Sequence, residues 1–78
     1  MEDKIRQIMS DLFEIEKKSI TDQTSMKNVQ RWDSLKHLAF IAALEENFGL
    51  PMFDMDEIVE MTSFKAVRTI LGAKLESN

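Results

Sequence analysis

The sequence predicts an all-α fold: a four-helix bundle of three longer helices and a short third one, with a long first loop. Three observations carry this. Apolar residues recur at steps of three and four in four separate segments. Two glycines and one proline in 78 residues are too few for a β-sandwich, which needs turn residues about every ten positions. A chain with 44% hydrophobic and 31% charged residues is globular rather than disordered. Helices that each carry one apolar stripe bury it by packing on one another. The length fits a single domain over residues 1–78, with a core limited by size, since so short a chain buries only about 60% of the surface it exposes when unfolded.

The first helix is expected from about Asp3 to Lys17, where Ile5, Ile8, Met9, Leu12 and Ile15 make one stripe. Lys18 to Asp33 is polar and reads as a long loop. Ile20, Met26, Val29 and Trp32 are spaced to pin it to a core. The second helix is expected from Ser34 to Phe48, with Leu38, Phe40, Ile41, Leu44 and Phe48 inside one arc of about 160°. Its opposite side, Lys36, Ala39, Ala42, Ala43, Glu46 and Asn47, is small and lightly polar. Asp33 suits the N-cap, Gly49 the residue that ends the helix, and Pro51 prevents continuation. A short third helix fits Met55 to Met61, with Ile58, Val59 and Met61 as its apolar side. Thr62 or Ser63 then caps a fourth helix from Phe64 to about Leu75, whose stripe is Phe64, Val67, Ile70 or Leu71, and Leu75.

Charge excludes some functions. The net charge is −4, and it is uneven. Glu45, Glu46, Asp54, Asp56, Glu57 and Glu60 follow one another with no base between them. A nucleic-acid binder needs the opposite sign to release phosphate counterions. The acidic half suits basic protein partners, or is simply a solvated surface. With no cysteine there is no disulfide framework, thiolate metal site or thiol nucleophile, and one histidine makes no histidine-rich metal site. The longest apolar run, Leu38 to Leu44, falls well short of the roughly 20 residues that span a bilayer. The start, Met-Glu-Asp-Lys, lacks the order of a signal peptide, so a cytoplasmic protein is expected.

The informative segment is Trp32-Asp33-Ser34-Leu35. A serine directly after a capping aspartate sits where the helix leaves amides unpaired and its dipole is positive. A phosphate ester on Ser34 Oγ would lie in that field. Asp33-Ser34-Leu35, the downstream Leu44-Glu45-Glu46-Asn47-Phe48-Gly49, and the Met61-Thr62-Ser63 junction together resemble the acyl carrier protein family over essentially the whole chain.

The resemblance implies a non-catalytic four-helix carrier, expected to act as a monomer. Ser34 would be modified with 4′-phosphopantetheine, taken from coenzyme A by a phosphopantetheinyl transferase. The arm's thiol would hold an acyl or aminoacyl group as a thioester, which acyl- or aminoacyl-loading and transfer enzymes supply and use. Asp33 and Leu35 complete the motif. Leu35 and the exposed face of the second helix would be the docking surface, where this chain offers Lys36, Ala39, Ala42, Glu45 and Glu46, with Asp56 beyond. The chain departs from the fatty-acid-synthesis pattern. Arg31-Trp32 precede the motif, Lys36-His37 follow it, and Ala39 stands at an often acidic position. This is similar to discrete carriers of dedicated pathways.

Two other readings compete. Asp33, Ser34 and His37 are the residue types of a hydrolase triad, but a triad needs the base on the serine and the acid behind the base, whereas Asp33 is better placed as a cap. An unmodified small helical adaptor that binds basic partners is also compatible with the composition. His37 falls inside the apolar arc and is read as packed under the loop, with contact to a prosthetic arm or a partner as the alternatives. Met52, Phe53 and Met55 either pack as core or line an adaptable cavity; Met61 reads as core.

Overall fold

The computed structural model describes residues 1–77. Four helices follow in order: α1 Glu2–Phe13, α2 Ser34–Phe48, α3 Met55–Glu60 and α4 Phe64–Ser77. A single 3₁₀ turn, Lys17–Ser19, lies between α1 and α2. Among the described residues the extended pairing is one antiparallel bridge, Ser25 with Ser63. No helix among them is long and apolar enough to cross a membrane. The expected all-α architecture, three longer helices and a short third, is what forms.

α1 buries Ile5, Ile8, Met9 and Phe13. It stops a turn earlier than its apolar spacing suggests. Glu14 takes a left-handed conformation, φ 55°, which reverses the chain. A residue with a Cβ pays about 1–2 kcal/mol there. Two things hold the turn: Phe13 is fully buried, and the Glu14 carboxylate meets the Arg31 guanidinium at 3.0 Å. Ile15, expected on the helical stripe, packs against the core from beyond the helix end.

The loop from Ile20 to Asp33 is pinned as its spacing suggests. Ile20 and Trp32 are buried, and Met26 and Val29 pack partly against the core. Trp32 stacks on Phe13 with ring centroids 4.7 Å apart and meets Phe40 edge-on at 5.6 Å. The middle of the loop is tied to the α3–α4 junction by two backbone bonds, Met26 N–H to Thr62 O and Phe64 N–H to Thr24 O, each 2.9 Å. Thr24, an unexpected core residue, buries its hydroxyl but satisfies it: Oγ1 accepts from the Thr21 amide at 2.9 Å. Asp22 reaches Arg68 of α4 at 2.7 Å, and this hydrogen bond holds the Asp22 carboxyl below its ordinary range.

α2 occupies the expected span. Gly49 ends it at φ 61°, in the left-handed region that favours glycine, and Glu45 O accepts from both the Gly49 and Leu50 amides. Phe40, Ile41 and Leu44 enter the core, Phe48 partly. Leu38 does not: it is 59% exposed, and His37 is buried in its place. The core accepts a narrower face than the arc of apolar residues offers, because α1 and the loop cover one side of α2 only. Ala43, expected on the outward side, instead packs partly against the core and lines a groove with Ile8 and Leu12 of α1.

α4 is capped by Ser63, whose Oγ accepts from the Ala66 amide at 3.1 Å. Phe64, Val67 and Leu71 are fully buried, and Ile70 and Leu75 flank them. α3 contrasts with the others, since none of its residues is buried. Val59, expected on its apolar side, is 64% exposed, while Ile58 packs partly and Met61, just past the helix, is in the core. A helix of under two turns has room for one inward position, and Ile58 takes it. Phe53 is buried while Met52 and Met55 are exposed, so these three do not share a cavity.

Candidate functional site

The loop delivers its last residue, Asp33, in extended conformation against the first turn of α2. Asp33 Oδ1 accepts from the Lys36 amide at 2.9 Å, and its backbone carbonyl accepts from the His37 amide at 2.8 Å. These satisfy the third and fourth amides of the helix and leave those of Ser34 and Leu35 directed outward. Ser34 is the first residue of the helix and is exposed. Among the described residues its Oγ has no hydrogen-bond partner. An exposed hydroxyl at the positive end of a fifteen-residue helix, with two free amides beside it, fits a phosphodiester.

What fixes this junction lies directly behind it. Trp32 Nε1–H donates to His37 Nδ1 at 3.0 Å, in the interior. His37 Nε2 lies 2.8 Å from the Ile58 carbonyl oxygen of α3. Because Nδ1 must accept from the indole and the Ile58 carbonyl can only accept, the ring is the neutral tautomer with its proton on Nε2. Both nitrogens are therefore engaged by partners other than Ser34, and Asp33 Oδ1 is engaged as a cap. The relationship a hydrolase triad requires, a base on the serine with an acid behind it, is absent from this arrangement of the three residues.

α2 and the α3 region expose apolar side chains along with charged ones. Leu35 is 81% exposed and Leu38 59%; Ala39 and Ala42 are exposed further along α2, and Met52, Met55 and Val59 are exposed on the α3 side. Lys36 is half-buried and sits one turn in. The acids sort into two groups. Glu45 Oε2 accepts from the Phe53 amide at 2.8 Å and holds the connection between α2 and α3. Asp54 and Glu57 form a reciprocal capping box at the start of α3. Glu57 also binds Lys74 of α4 at 2.9 Å, which keeps its carboxyl below its ordinary value. Glu46, Asp56 and Glu60 are exposed. Of the residues expected to meet partners, then, Leu35, Ala39, Ala42, Glu46 and Asp56 are on the surface, while Glu45 is engaged by the fold. No group of three or more potential metal ligands exists among the described residues.

Comparison with known proteins gives the class. Residues 3–71 match the family described as the phosphopantetheine attachment site, and the chain belongs to that family. It is also 39% identical over 51 residues to an acyl carrier protein of Lactobacillus acidophilus; the matched region covers 65% of this chain and 64% of that protein, a little under two thirds of each. The prosthetic group of the family is covalently attached 4′-phosphopantetheine.

The histidine was visible in the sequence as a residue inside an apolar arc. Its two partners were not, because they come from the loop and from α3, at separations of five and 21 residues.

Proposed function

We propose that residues 1–78 form one carrier domain in which Ser34 bears the 4′-phosphopantetheine arm, and that the domain presents an acyl or aminoacyl group to biosynthetic enzymes. The carrying observation is Ser34 itself: an exposed, unengaged hydroxyl at the first position of α2, inside the Asp33-Ser34-Leu35 motif of a chain in the phosphopantetheine family. When attached, the arm supplies a thiol that holds the cargo as a thioester. The chain's own contributions are position and field. Asp33 fixes the junction, the outward amides of Ser34 and Leu35 favour the phosphodiester charge, and Leu35 stands exposed beside it. Both ring nitrogens of His37 are engaged, so it is not free to take the Ser34 proton, and the base that activates the hydroxyl is assigned to the transferase.

Partner enzymes dock on Leu35, Lys36, Ala39 and Ala42, with Glu46 and Asp56 steering a basic surface. The start of α2 carries no acid in its first turn, which supports a dedicated pathway over a housekeeping fatty-acid role. Incubation of the purified protein with coenzyme A and a broad-specificity phosphopantetheinyl transferase tests the reading. Intact mass should rise by one phosphopantetheine, and no rise under conditions that load a known carrier would overturn it.

A further inference from the structure

α3 is held differently from every other helix. None of its residues is fully buried; Ile58 packs partly on the core, and its other fixed points are polar: the capping box at its start, the Glu57–Lys74 pair toward α4, and the bond from His37 to the Ile58 carbonyl. Among the described residues that last bond is the hydrogen bond joining α3 to α2. It starts from a ring whose other nitrogen is already fixed by Trp32, the residue immediately before the Asp33 cap. One imidazole thus ties three things together: the end of the loop, the first turn of α2, and α3.

The tie lies close to the reacting hydroxyl. His37 is three residues into the helix from Ser34, an axial rise of about 4.5 Å. An enzyme that covers even a small interface on this domain, about 600 Å² on one side, occludes a disc roughly 14 Å in radius. A partner centred on Ser34 therefore also covers the part of α3 that meets His37, where Val59 and Met55 are 64% and 71% exposed. If α3 were loose, the partner would have to order it on binding, and that cost would appear in affinity.

Resting on the carrier reading, we infer that His37 is a positioning residue for modification of Ser34. As the neutral Nε2–H imidazole it holds α3 in place, so that the transferase meets Ser34, the start of α2 and α3 as one preset surface. The bond to Trp32 orients the ring; the bond to Ile58 does the positioning.

Two substitutions separate this from a purely structural role. His37→Gln places an amide nitrogen near the Nε2 position and can still donate to the Ile58 carbonyl, while giving up the acceptor for Trp32. His37→Asn places an oxygen near the Nδ1 position and can still accept from Trp32, but falls short of α3. Each loses one hydrogen bond. The steady-state kinetics of phosphopantetheine transfer should separate them: His37→Asn should raise KM for the carrier about three- to tenfold, the equivalent of one net hydrogen bond, with kcat unchanged. His37→Gln should stay within about twofold of the parent in KM even though it melts at a lower temperature, because it leaves the buried Trp32 indole N–H unpaired. Equal KM values for the two variants, or KM losses that simply follow melting temperature, would overturn the inference. The parent protein gives a check that needs no variant. Imidazole ¹⁵N shifts should report the Nε2–H tautomer, and an Nδ1–H ring would contradict it. A parent that is never modified defeats the carrier reading and this inference together, whereas a modified parent with indistinguishable variants defeats only this inference.

Discussion

The irregular loop from Ile20 to Asp33 and the regular helix α3 are held in opposite ways. The loop has no α-helix, yet it places Ile20, Thr24 and Trp32 in the interior and bonds to the α4 junction through Met26 and Phe64. α3 caps itself, yet none of its residues is fully buried: Ile58 packs partly on the core, and His37 and Lys74 supply the polar ties to the rest of the domain. Regular secondary structure is thus not the measure of anchorage in this domain. The end of the loop, which presents Ser34, rests on a buried aromatic cluster. The helix beside it rests on one half-buried side chain, Ile58, and a few polar contacts.

The contrast predicts a steep difference under substitution. Trp32→Ala removes the ring that stacks on Phe13 and the donor to His37, and should cost about 3–5 kcal/mol, enough to unfold much of so small a domain. Val59→Ala on α3 should change stability by less than about 0.5 kcal/mol. Urea unfolding of the two variants measures both, and similar losses would abolish the distinction.

Asp33→Ala comes next. It leaves the Lys36 amide unpaired and should cost about 0.5–2 kcal/mol, with slower loading of Ser34 as the junction frays. An unchanged melting curve together with unchanged loading would show that Asp33 is neither a cap nor part of recognition.

The two regions were not equally legible in the sequence. Asp33, Gly49 and Pro51 bracket α2, and each acts through its own local chemistry, so the span and the exposed serine could be read directly. The pinned loop could be read from its isolated apolar residues. The end of α1 could not, because the apolar spacing continues through Ile15 while the backbone turns at Glu14 to suit Phe13, Trp32 and Arg31. Leu38 and Val59 were misplaced for a related reason. Helical periodicity marks every apolar residue on a face, but only neighbouring elements decide how wide a face is covered. The ties that hold α3 were invisible, since Glu45 to Phe53, Glu57 to Lys74 and His37 to Ile58 all join residues far apart in the chain.

Partner encounter should give a smaller effect, and on rate rather than stability. Exposed charges each contribute roughly 0–1 kcal/mol, so Glu46→Lys with Asp56→Lys should slow transfer severalfold only in combination, and raised salt should slow the parent likewise. Ala42→Glu should act instead by placing a charge within the contact and should respond less to salt. Stopped-flow transfer rates at two ionic strengths check this, and insensitivity to salt and to both reversals would leave Lys36 and the loop as the docking elements.

The smallest effect concerns acid. Asp22 and Glu57 both have carboxyls held below their ordinary values of 3.8 and 4.5 by Arg68 and Lys74. In that range the folded protein binds fewer protons than the unfolded chain. Their contribution is therefore complete above the ordinary range and disappears as pH falls through the lower folded-state values. Asp22→Asn and Glu57→Gln should each flatten the acid side of the melting temperature against pH. The Glu57 change should do so with a local loosening of α3, visible as faster amide exchange there and unchanged exchange in the loop.

Attachment of the arm at Ser34 is tested most directly by intact-protein mass. After incubation with coenzyme A and a phosphopantetheinyl transferase, the parent should gain one phosphopantetheine and folded Ser34→Ala should gain none. Addition to Ser34→Ala at the parent's rate, or no addition to the parent, would contradict it.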